Sequence, residues 1–535
     1  MTGDDGIRAF DFPTVLASAA ERFGSRPYLR FEDATYSFAD AHRISNAIGN
    51  GLLGFGIAIG EHVALLLDNC PEIVWYYCAI GKIGAVSVPL NTAAKGELLA
   101  RYLRQAKVSC LVVEQGLLER VLPILADCPD LRRVVVVNAR GADYGLPPGL
   151  EATDHATLAA ASDAPPPGVV SFRDLAYLSF TSGTSGPSKA NLATHAHTFA
   201  MAAALGRAFD YQPDDVLYTC LPLYHGNAMR SLFVALQVGC TIALAHRFSA
   251  SGFWADVRRL GATQFNLLGA MANFLWLQPP AEDDRSAIPR KCMIVPMPAF
   301  APAFAERFNL RMYSTYALTD FGYMTFLTPE DPQEKWGSAG RVQPDFEVAI
   351  LDDDDFAVAR GEVGEICTRP RRPWVAAQGY YDMPEATVAA WRNLWFHTGD
   401  HGRFDSDGYL FFVDRKKDSI RRRGENISAH EVEQIILRNP VVAEVAAFAV
   451  DSEMAEDEVM VSIVCKPGAI IDEAALVRWC SGQMAAFMVP RYVEFIAELP
   501  RTATEKVEKY RLRERARGNL ASVWDRERAG VTIER

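Results

Sequence analysis

The segment Phe180–Lys189, with the sequence FTSGTSGPSK, combines residue types that bind phosphate groups. Glycine lets the backbone approach an anion, hydroxyl and free N–H groups donate hydrogen bonds to it, and lysine adds a positive charge. The apolar run Leu175–Phe180 predicts a buried strand, and the Ala-rich stretch after His195 predicts a helix. The order of strand, glycine-rich turn, lysine and helix therefore predicts a phosphate-binding loop.

A polar surface turn is the competing interpretation of this segment, because clusters of Ser, Thr and Gly are typical of loops. The segment also differs from the Walker pattern, since Lys189 is followed by Ala190 and the glycines are spaced differently. The segment alone does not decide between these interpretations, and the evidence must come from the rest of the chain.

Composition excludes several classes of function. The chain has 535 residues, of which 49% are hydrophobic, which is enough for a large core and more than one domain. A net charge of -12 favours neither nucleic acid nor an anionic membrane as a partner. The 10 cysteines lack metal-ligand spacing and are typical of reduced thiols, so we expect a cytoplasmic protein. The N-terminal sequence MTGDD is acidic and is not followed by an apolar segment of the kind found in secretory signals, and no apolar run in the chain has the length of a membrane span.

The order of predicted elements indicates an α/β fold with several domains. Apolar strands and amphipathic helices alternate through the first part of the chain, which predicts layered, mainly parallel sheets. From Pro344 onward, short strands between turns predict a small β-rich subdomain. The charged cluster Asp414–Asp418 marks a boundary, so we predict a large N-terminal domain, residues 1–414, and a small α+β domain, residues 415–535.

Several motifs now stand together in order along the chain. They are the Thr181–Lys189 loop, Leu221–His225 (LPLYH), Tyr316–Asp320 (YALTD), Gly361–Ile366 (GEVGEI), Trp395–Asp400 (WFHTGD), Asp414–Ile420 (DRKKDSI) and Pro500–Lys506 (PRTATEK). In this combination the chain resembles the adenylate-forming superfamily, which includes acyl-CoA synthetases, peptide-synthetase adenylation domains and luciferases. The resemblance extends from about residue 12 to about residue 514.

The resemblance implies a reaction in two steps at one site. A carboxylate attacks the α-phosphate of ATP, with Mg²⁺ present, to give acyl-AMP and pyrophosphate. A thiol, often that of CoA, then displaces AMP to form a thioester. The small C-terminal domain is expected to be mobile and to rotate between the two steps.

The resemblance also assigns roles to individual residues. The phosphate loop would comprise Thr181, Ser182, Gly183, Thr184, Ser185, Gly186 and Lys189. Asp400 would accept hydrogen bonds from the ribose hydroxyls, Arg415 would be a second ribose contact, and Tyr316 would lie against the adenine or the acyl adenylate. The catalytic group would comprise Thr319, Asp320, which also contacts Mg²⁺, His225 beside the acyl carbonyl, and Lys506 on the nascent acyl phosphate.

The CoA side of the site is predicted in the same way. Gly424 resembles the glycine that lets the pantetheine arm pass close to the backbone. Arg421, Arg422 and Arg423 precede it and would meet CoA phosphates, although a solvated basic face would also explain them. Lys417 lies at the family's hinge position.

The chain departs from the family pattern at four places on the ATP side. Glu505 stands where glycine usually precedes the catalytic lysine, and its carboxylate would lie beside a polyanion. Asp320 replaces the usual glutamate, Ala317 a glycine, and Ala190-Asn191 a Gly-Val pair. The adenylation step is therefore expected to be impaired, with a separate adenylating enzyme supplying acyl-AMP. Neutral drift in a complete ATP-dependent synthetase stays open as the alternative.

The acid is expected to be hydrophobic. The predicted pocket contains Asn227, Ala228, Met229, Gly269 and Met271, which are mostly apolar or small, and no aspartate that would pair with an amino group. A family member that loads a carrier protein or an amine, and a non-catalytic relative that only binds acyl adenylate, remain alternatives. The arginines before Gly424 favour CoA.

Overall fold

The computed structural model describes residues 4–139, 141, 143–181, 188–285, 290–415, 419–423, 425–452, 456–500 and 507–533. The predicted α/β fold with a large N-terminal part and a small C-terminal part is confirmed. We call residues 4–415 the N-terminal unit and residues 419–533 the C-terminal unit.

Within the described chain, the N-terminal unit contains two seven-stranded sheets, parallel apart from one antiparallel pair at an edge of each. The strand order in the first is Leu310–Tyr313, Arg290–Val295, Gln264–Leu268, Val216–Thr219, Thr241–Leu244, Pro27–Phe31, Ala34–Ser37. The order in the second is Glu151–Asp154, Arg133–Val137, Cys110–Glu114, His62–Leu66, Val86–Pro89, Leu175–Thr181, Lys189–Thr194. Central strands such as His62–Leu66 are buried along their whole length, as in a sheet covered on both faces.

The elements on both sides of the phosphate segment are confirmed as a strand, Leu175–Thr181, and a helix, His195–Ala208. The helix begins where the Thr194 side chain accepts a hydrogen bond from the His197 backbone N–H. One further strand, Lys189–Thr194, was not predicted, and it pairs antiparallel with Leu175–Thr181. Alternating small, apolar and β-branched residues in KANLAT fit an edge strand better than the first turn of a helix.

Helices cover both sheets and connect their strands. In the N-terminal unit they are Phe12–Phe23, Phe38–Gly54, Pro71–Lys82, Gly96–Gln105, Leu118–Val121, His155–Ala159, His195–Ala208, Gly226–Val238, Phe253–Arg259, Gly269–Trp276, Ala301–Phe308 and Pro384–Ala390. Local sequence fixes where several of these helices start. Before Phe38–Gly54, the side chains of Ser37 and Asp40 each accept a hydrogen bond from the other's backbone N–H.

The predicted β-rich subdomain is confirmed as a third, antiparallel sheet. Its strands are Phe346–Leu351, Gly364–Pro370, Trp391–Arg392, Trp395–Phe404 and Leu410–Arg415. Along the chain, two short antiparallel ladders come between the first sheet and this one. They pair Ala317–Leu318 with Gly322–Tyr323, and Thr325–Phe326 with Arg341–Val342. The predicted domain boundary after residue 414 falls at the end of this sheet and stays a prediction.

The C-terminal unit begins with an antiparallel ribbon, Ser419–Arg422 with Glu425–Ser428. A mixed sheet follows, in the order Val442–Asp451, Asp457–Cys465, Tyr492–Phe495, Trp524–Asp525. Its helices are Ala429–Ile436, Glu473–Gln483 and Lys509–Asn519. The charged tail after Arg515, for which a helix or a frayed end is predicted, is helical to Asn519 and then forms the strand Trp524–Asp525, in which Asp525 is buried and paired with Arg491.

The two units share an apolar interface. The helix Gly96–Gln105 packs against Ala429–Ile436 and Glu473–Gln483, and one core cluster contains side chains from both units. Among the helices of the described ranges, none combines the length and the apolar character needed to cross a bilayer.

Candidate active site

A cavity of about 540 Å³ lies where the second sheet, the third sheet and the C-terminal unit meet. Lys189, Thr319, Asp320 and Asp400, all predicted nucleotide-site residues, line it. They come from three separate parts of the N-terminal unit: the strand after the phosphate segment, the Ala317–Leu318 ladder and the strand Trp395–Phe404. The structure therefore brings these four side chains together.

Asp400 is a buried carboxylate held in a fixed position. It is 3% exposed, and its Oδ2 accepts a hydrogen bond of 2.7 Å from the Tyr316 hydroxyl. Arg415 is its partner in the antiparallel ladder. Tyr316 was expected to lie against the adenine or the acyl adenylate, and its hydroxyl is hydrogen-bonded to Asp400. An oriented, buried carboxylate suits the recognition of hydroxyl groups.

Asp320 and Lys189 both interact with Tyr380. The Lys189 ammonium is 4.7 Å from the centre of the Tyr380 ring, and Tyr380 is bridged through its backbone to Asn191 on the same strand as Lys189. Burial raises the pKa of Asp320 to about 6, against the lowering effects of the Tyr380 hydrogen bond and the Lys189 charge. The arrangement places one cation and one carboxylate on the cavity wall, at the position expected for phosphates.

His225 stands at the wall between this cavity and a second one of about 620 Å³. Thr319 also lines both cavities. The His225 Nε2 atom lies 2.8 Å from Glu425 Oε2 in the C-terminal unit. Burial lowers the pKa of His225, but the charge and hydrogen bond of Glu425 outweigh it, so this pKa is raised from its ordinary value. A group transferred between the two cavities would pass these side chains.

The second cavity accounts for only part of the predicted acid pocket. Asn227 and Met271 line it. Ala228 and Met229 do not face it as expected: they are 0% and 1% exposed and pack in the main core, on the other side of their helix. A Cβ at Gly269 would lie 3.4 Å from the Pro296 carbonyl oxygen, so this glycine packs against backbone.

The three arginines before Gly424 have different surroundings. Arg421 and Arg423 line the second cavity, and Arg423 is half exposed. Arg422 is 1% exposed, its Nε lies 2.6 Å from Glu458 Oε2, and its Nη1 donates to the Phe487 carbonyl oxygen at 3.0 Å. The expectation that Arg422 meets CoA phosphates is therefore wrong. A guanidinium buried in the core of the C-terminal unit has no surface for a polyanion.

Other predicted residues lie outside the described residues or have undescribed side chains. Ser182, Gly183, Thr184, Ser185, Gly186, Lys417, Gly424, Glu505 and Lys506 lie outside the described residues. For Thr181 and Arg415 the structure describes only their places in strands. Their roles stay predictions.

Sequence reasoning missed three residues at these cavities. Glu425 follows Gly424 directly, so its place in the motif was a signal that it would reach the site. Tyr380 belongs to none of the motifs. Arg230 lies on the wall of the second cavity, and the only sequence signal for it was that it follows Gly226 by one helical turn.

Comparison with known proteins agrees with this geometry. Residues 16–381 match the family model "AMP-binding enzyme" and residues 431–506 match "AMP-binding enzyme C-terminal domain". A crotonobetaine/carnitine–CoA ligase of Salmonella choleraesuis is 32% identical over 504 residues, covering 92% of this chain and 96% of the relative.

Solved structures of o-succinylbenzoate CoA synthetase from Bacillus subtilis share the fold. A double mutant bound with its product analogue OSB-NCoA is 24% identical, with a TM-score of 0.79 over 93% of this chain and 97% of that one. The same synthetase in complex with AMP is 25% identical, with a TM-score of 0.63 at the same coverage of 93% and 97%. On the family models and the sequence relative together, this chain belongs to the AMP-binding enzyme family.

Proposed function

We propose that this chain is an acyl-CoA ligase that forms a thioester between a carboxylic acid and CoA through an acyl-AMP intermediate. The observation that carries the proposal is the wall of His225 and Thr319, which both cavities share. A reaction that joins a nucleotide phosphate to a carboxylate needs its two reactants in adjoining pockets with the reacting atoms at the boundary. The relatives named above act as CoA ligases, which supports the same assignment.

In the first step a carboxylate oxygen bonds to the α-phosphorus of ATP, and the bond to pyrophosphate breaks. Lys189 supplies positive charge on the cavity wall, and Asp400 holds the ribose, oriented by Tyr316. Lys506 would stabilise the developing negative charge on the acyl phosphate. The residues present fit Mg²⁺, since this ion takes one or two carboxylates with substrate phosphates and water, and Asp320 would hold it. When bound, the ion neutralises phosphate charge.

In the second step the CoA sulfur bonds to the acyl carbon, AMP leaves, and the thiol proton passes to solvent. Contacts between the C-terminal unit and the N-terminal unit support the view that the structure has the arrangement suited to this second step. Glu425 reaches His225, the Ser188 N–H donates to Glu431 at 3.2 Å, and Arg421 donates to the Val295 carbonyl oxygen at 3.3 Å.

We propose further that the chain acts mainly on preformed acyl-AMP, supplied by a separate adenylating enzyme. Glu505 would place a negative charge near ATP phosphates, and two like charges about 4 Å apart cost about 4 kcal/mol at an effective dielectric near 20. That cost corresponds to roughly a thousandfold in rate. Asp320, Ala317 and Ala190 are further departures on the same side of the site.

The test compares two routes to the thioester. The full chain is given CoA and Mg²⁺ with either acid plus ATP or preformed acyl-AMP, and thioester and pyrophosphate are measured. We expect far faster turnover from acyl-AMP. Glu505→Gly should raise the ATP-dependent rate and leave the acyl-AMP rate unchanged, whereas the exposed control Glu498→Gly should change neither.

Other outcomes would point to the alternatives. Brisk ATP-dependent turnover by the native chain would make it a complete synthetase. Acyl transfer to a carrier protein or an amine, with none to CoA, would show that the acceptor is not CoA. Tight acyl-AMP binding without transfer to any acceptor would make the chain a non-catalytic binder.

A further inference from the structure

Arg230 is a buried cation on the wall of the second cavity. It lies one turn into the helix Gly226–Val238 and is 5% exposed. Its side chain folds back toward the start of the helix, since a Cβ at Gly226 would lie only 2.6 Å from its Nη1. The guanidinium therefore occupies space that the missing side chain of Gly226 leaves open.

The surroundings of this guanidinium are neutral. Its central carbon lies 5.4 Å from the centre of the Tyr323 ring, and its Nε lies 3.2 Å from the Met201 sulfur. Its Nη2 is buried without a hydrogen-bond partner, and no carboxylate pairs with Arg230 among the residues that the structure describes. Burial raises the pKa values of the neighbouring Tyr177 and Tyr323 hydroxyls and lowers that of His197 to about 3.

Further buried polar atoms surround the same point. The Tyr177 and Tyr323 hydroxyls interact with the Arg230 guanidinium itself, as neutral neighbours that bring no counter-charge. Both ring nitrogens of the buried His197 lack hydrogen-bond partners in the described chain. Buried polar groups are nearly always satisfied, and an arginine stays charged in a protein. A buried cation without a counter-charge is strongly unfavourable, so such a cluster indicates a ligand that completes it.

Arg230 lines the second cavity, which the proposed function assigns to the acid, so the group that pairs with it would belong to the acid. An acid whose reacting carboxylate lies at His225 and Thr319 would have the rest of its length in this cavity. Phe248 and Met271 are among the apolar residues that line that cavity. Arginine binds carboxylates and other oxyanions through two parallel N–H donors.

We propose that the acid substrate has an apolar body and a second anionic group, most simply a second carboxylate, and that Arg230 recognises this group. The inference rests on the proposed function because it names the substrate class of the same site. It adds one charged group to the hydrophobic acid expected from the sequence.

The test uses binding, so that it does not depend on thioester formation. Matched acyl sulfamoyl adenylates, stable mimics of acyl-AMP, are prepared as hexanoyl and 5-carboxypentanoyl, and as benzoyl with and without a ring carboxylate. A sulfonate version distinguishes carboxylate from general oxyanion recognition. Calorimetry on the full native chain should show at least about 10-fold tighter binding of one carboxylated mimic than of its neutral partner.

Substitutions then assign the preference to Arg230. Arg230→Met should abolish it and Arg230→Lys should keep part of it, whereas Arg247→Met, which removes an exposed arginine lining the same cavity, should leave it intact. Thermal unfolding without ligand should show no loss of stability in Arg230→Met. If the Arg230→Met protein does not fold, Arg230→Lys and Tyr323→Phe replace it in the test. Both variants are expected to show a reduced preference for the carboxylated mimics.

Equal binding of every matched pair by the native chain would overturn the inference, as would a preference that survives Arg230→Met. Failure of the proposed function looks different. If carboxylated mimics bind preferentially but no thioester forms with CoA, the ligase assignment fails and the inference stands. If neutral acids form thioesters and all pairs bind equally, the ligase assignment stands and the inference fails.

Discussion

Glu425→Gln tests whether a charge pair between the two units holds the arrangement in which CoA reacts. The substitution keeps the size of the side chain and its ability to hydrogen-bond to His225, and it removes the negative charge. The His225 and Glu425 side chains are 43% and 18% exposed, so solvent screens much of their attraction. Partly exposed pairs of this kind contribute about 0.5–1 kcal/mol, which corresponds to a factor of about 2–5 in an equilibrium constant.

The pH dependence has a definite sign. The pKa of His225 is raised in this arrangement, so the contribution of the pair is present below the ordinary histidine pKa of about 6.5 and is lost as pH rises through the raised value. We therefore expect Glu425→Gln to slow thioester formation from acyl-AMP by a factor of about 2–5 near pH 6. The difference should become small near pH 8.5.

The assay measures single-turnover thioester formation from preformed acyl-AMP and CoA, as the ratio of native to variant rate at each pH. The ratio cancels the effect of pH on the CoA thiol. Arg438→Gln is the matched control, because Arg438 pairs with Glu97 across the same interface at 2.7 Å and no histidine takes part. Its ratio should not vary with pH. A Glu425→Gln ratio that is constant with pH, or that grows at high pH, would refute the reasoning.

Four further substitutions test other parts of the chain. Lys417→Pro should block one half-reaction and spare the other if residue 417 is the hinge, because proline fixes φ; equal loss of both, with the fold intact by circular dichroism, would contradict a hinge there. Gly424→Leu should abolish thioester formation from acyl-AMP, and unchanged turnover with unchanged CoA affinity would contradict the tunnel assignment. Arg422→Met should cost about 3 kcal/mol in the free energy of unfolding, measured by urea denaturation, because it removes the nearer of the two arginines paired with the buried Glu458 and leaves only Arg491, at 3.7 Å. The neighbouring Arg423→Met should instead weaken CoA binding with little effect on stability, and the reverse pattern would contradict the burial argument.

The motifs predicted which side chains would lie together, because each motif carries its own local geometry. Asp400, at the end of the Trp395–Asp400 motif, and Asp320, beside the Ala317–Leu318 ladder, line the same cavity, as expected. Hydrophobic periodicity also predicted the strand Leu175–Thr181 and the helix His195–Ala208, since apolar runs of sufficient length fix their own secondary structure.

What sequence reasoning missed depends on partners far along the chain. The burial of Arg422 follows from Glu458 and from the carbonyl groups near Phe487, which no local pattern reveals. Met229 looked like a pocket residue, but the packing of its helix turns it into the core, and Arg230 faces the cavity instead. A helix tells which residues share a face, but only tertiary packing decides which face meets the ligand.

The apolar contact between the two units makes their equilibrium sensitive to temperature. Leu98 and Leu99 of the N-terminal unit belong to the same buried cluster as Val432 of the C-terminal unit. Rotation of the C-terminal unit away from the helix Gly96–Gln105 would expose part of this surface, and exposure of apolar surface raises the heat capacity. Because hydrophobic contacts weaken on cooling, chilled protein should hold more of the separated arrangement than warm protein, and a van 't Hoff plot of the equilibrium should be curved.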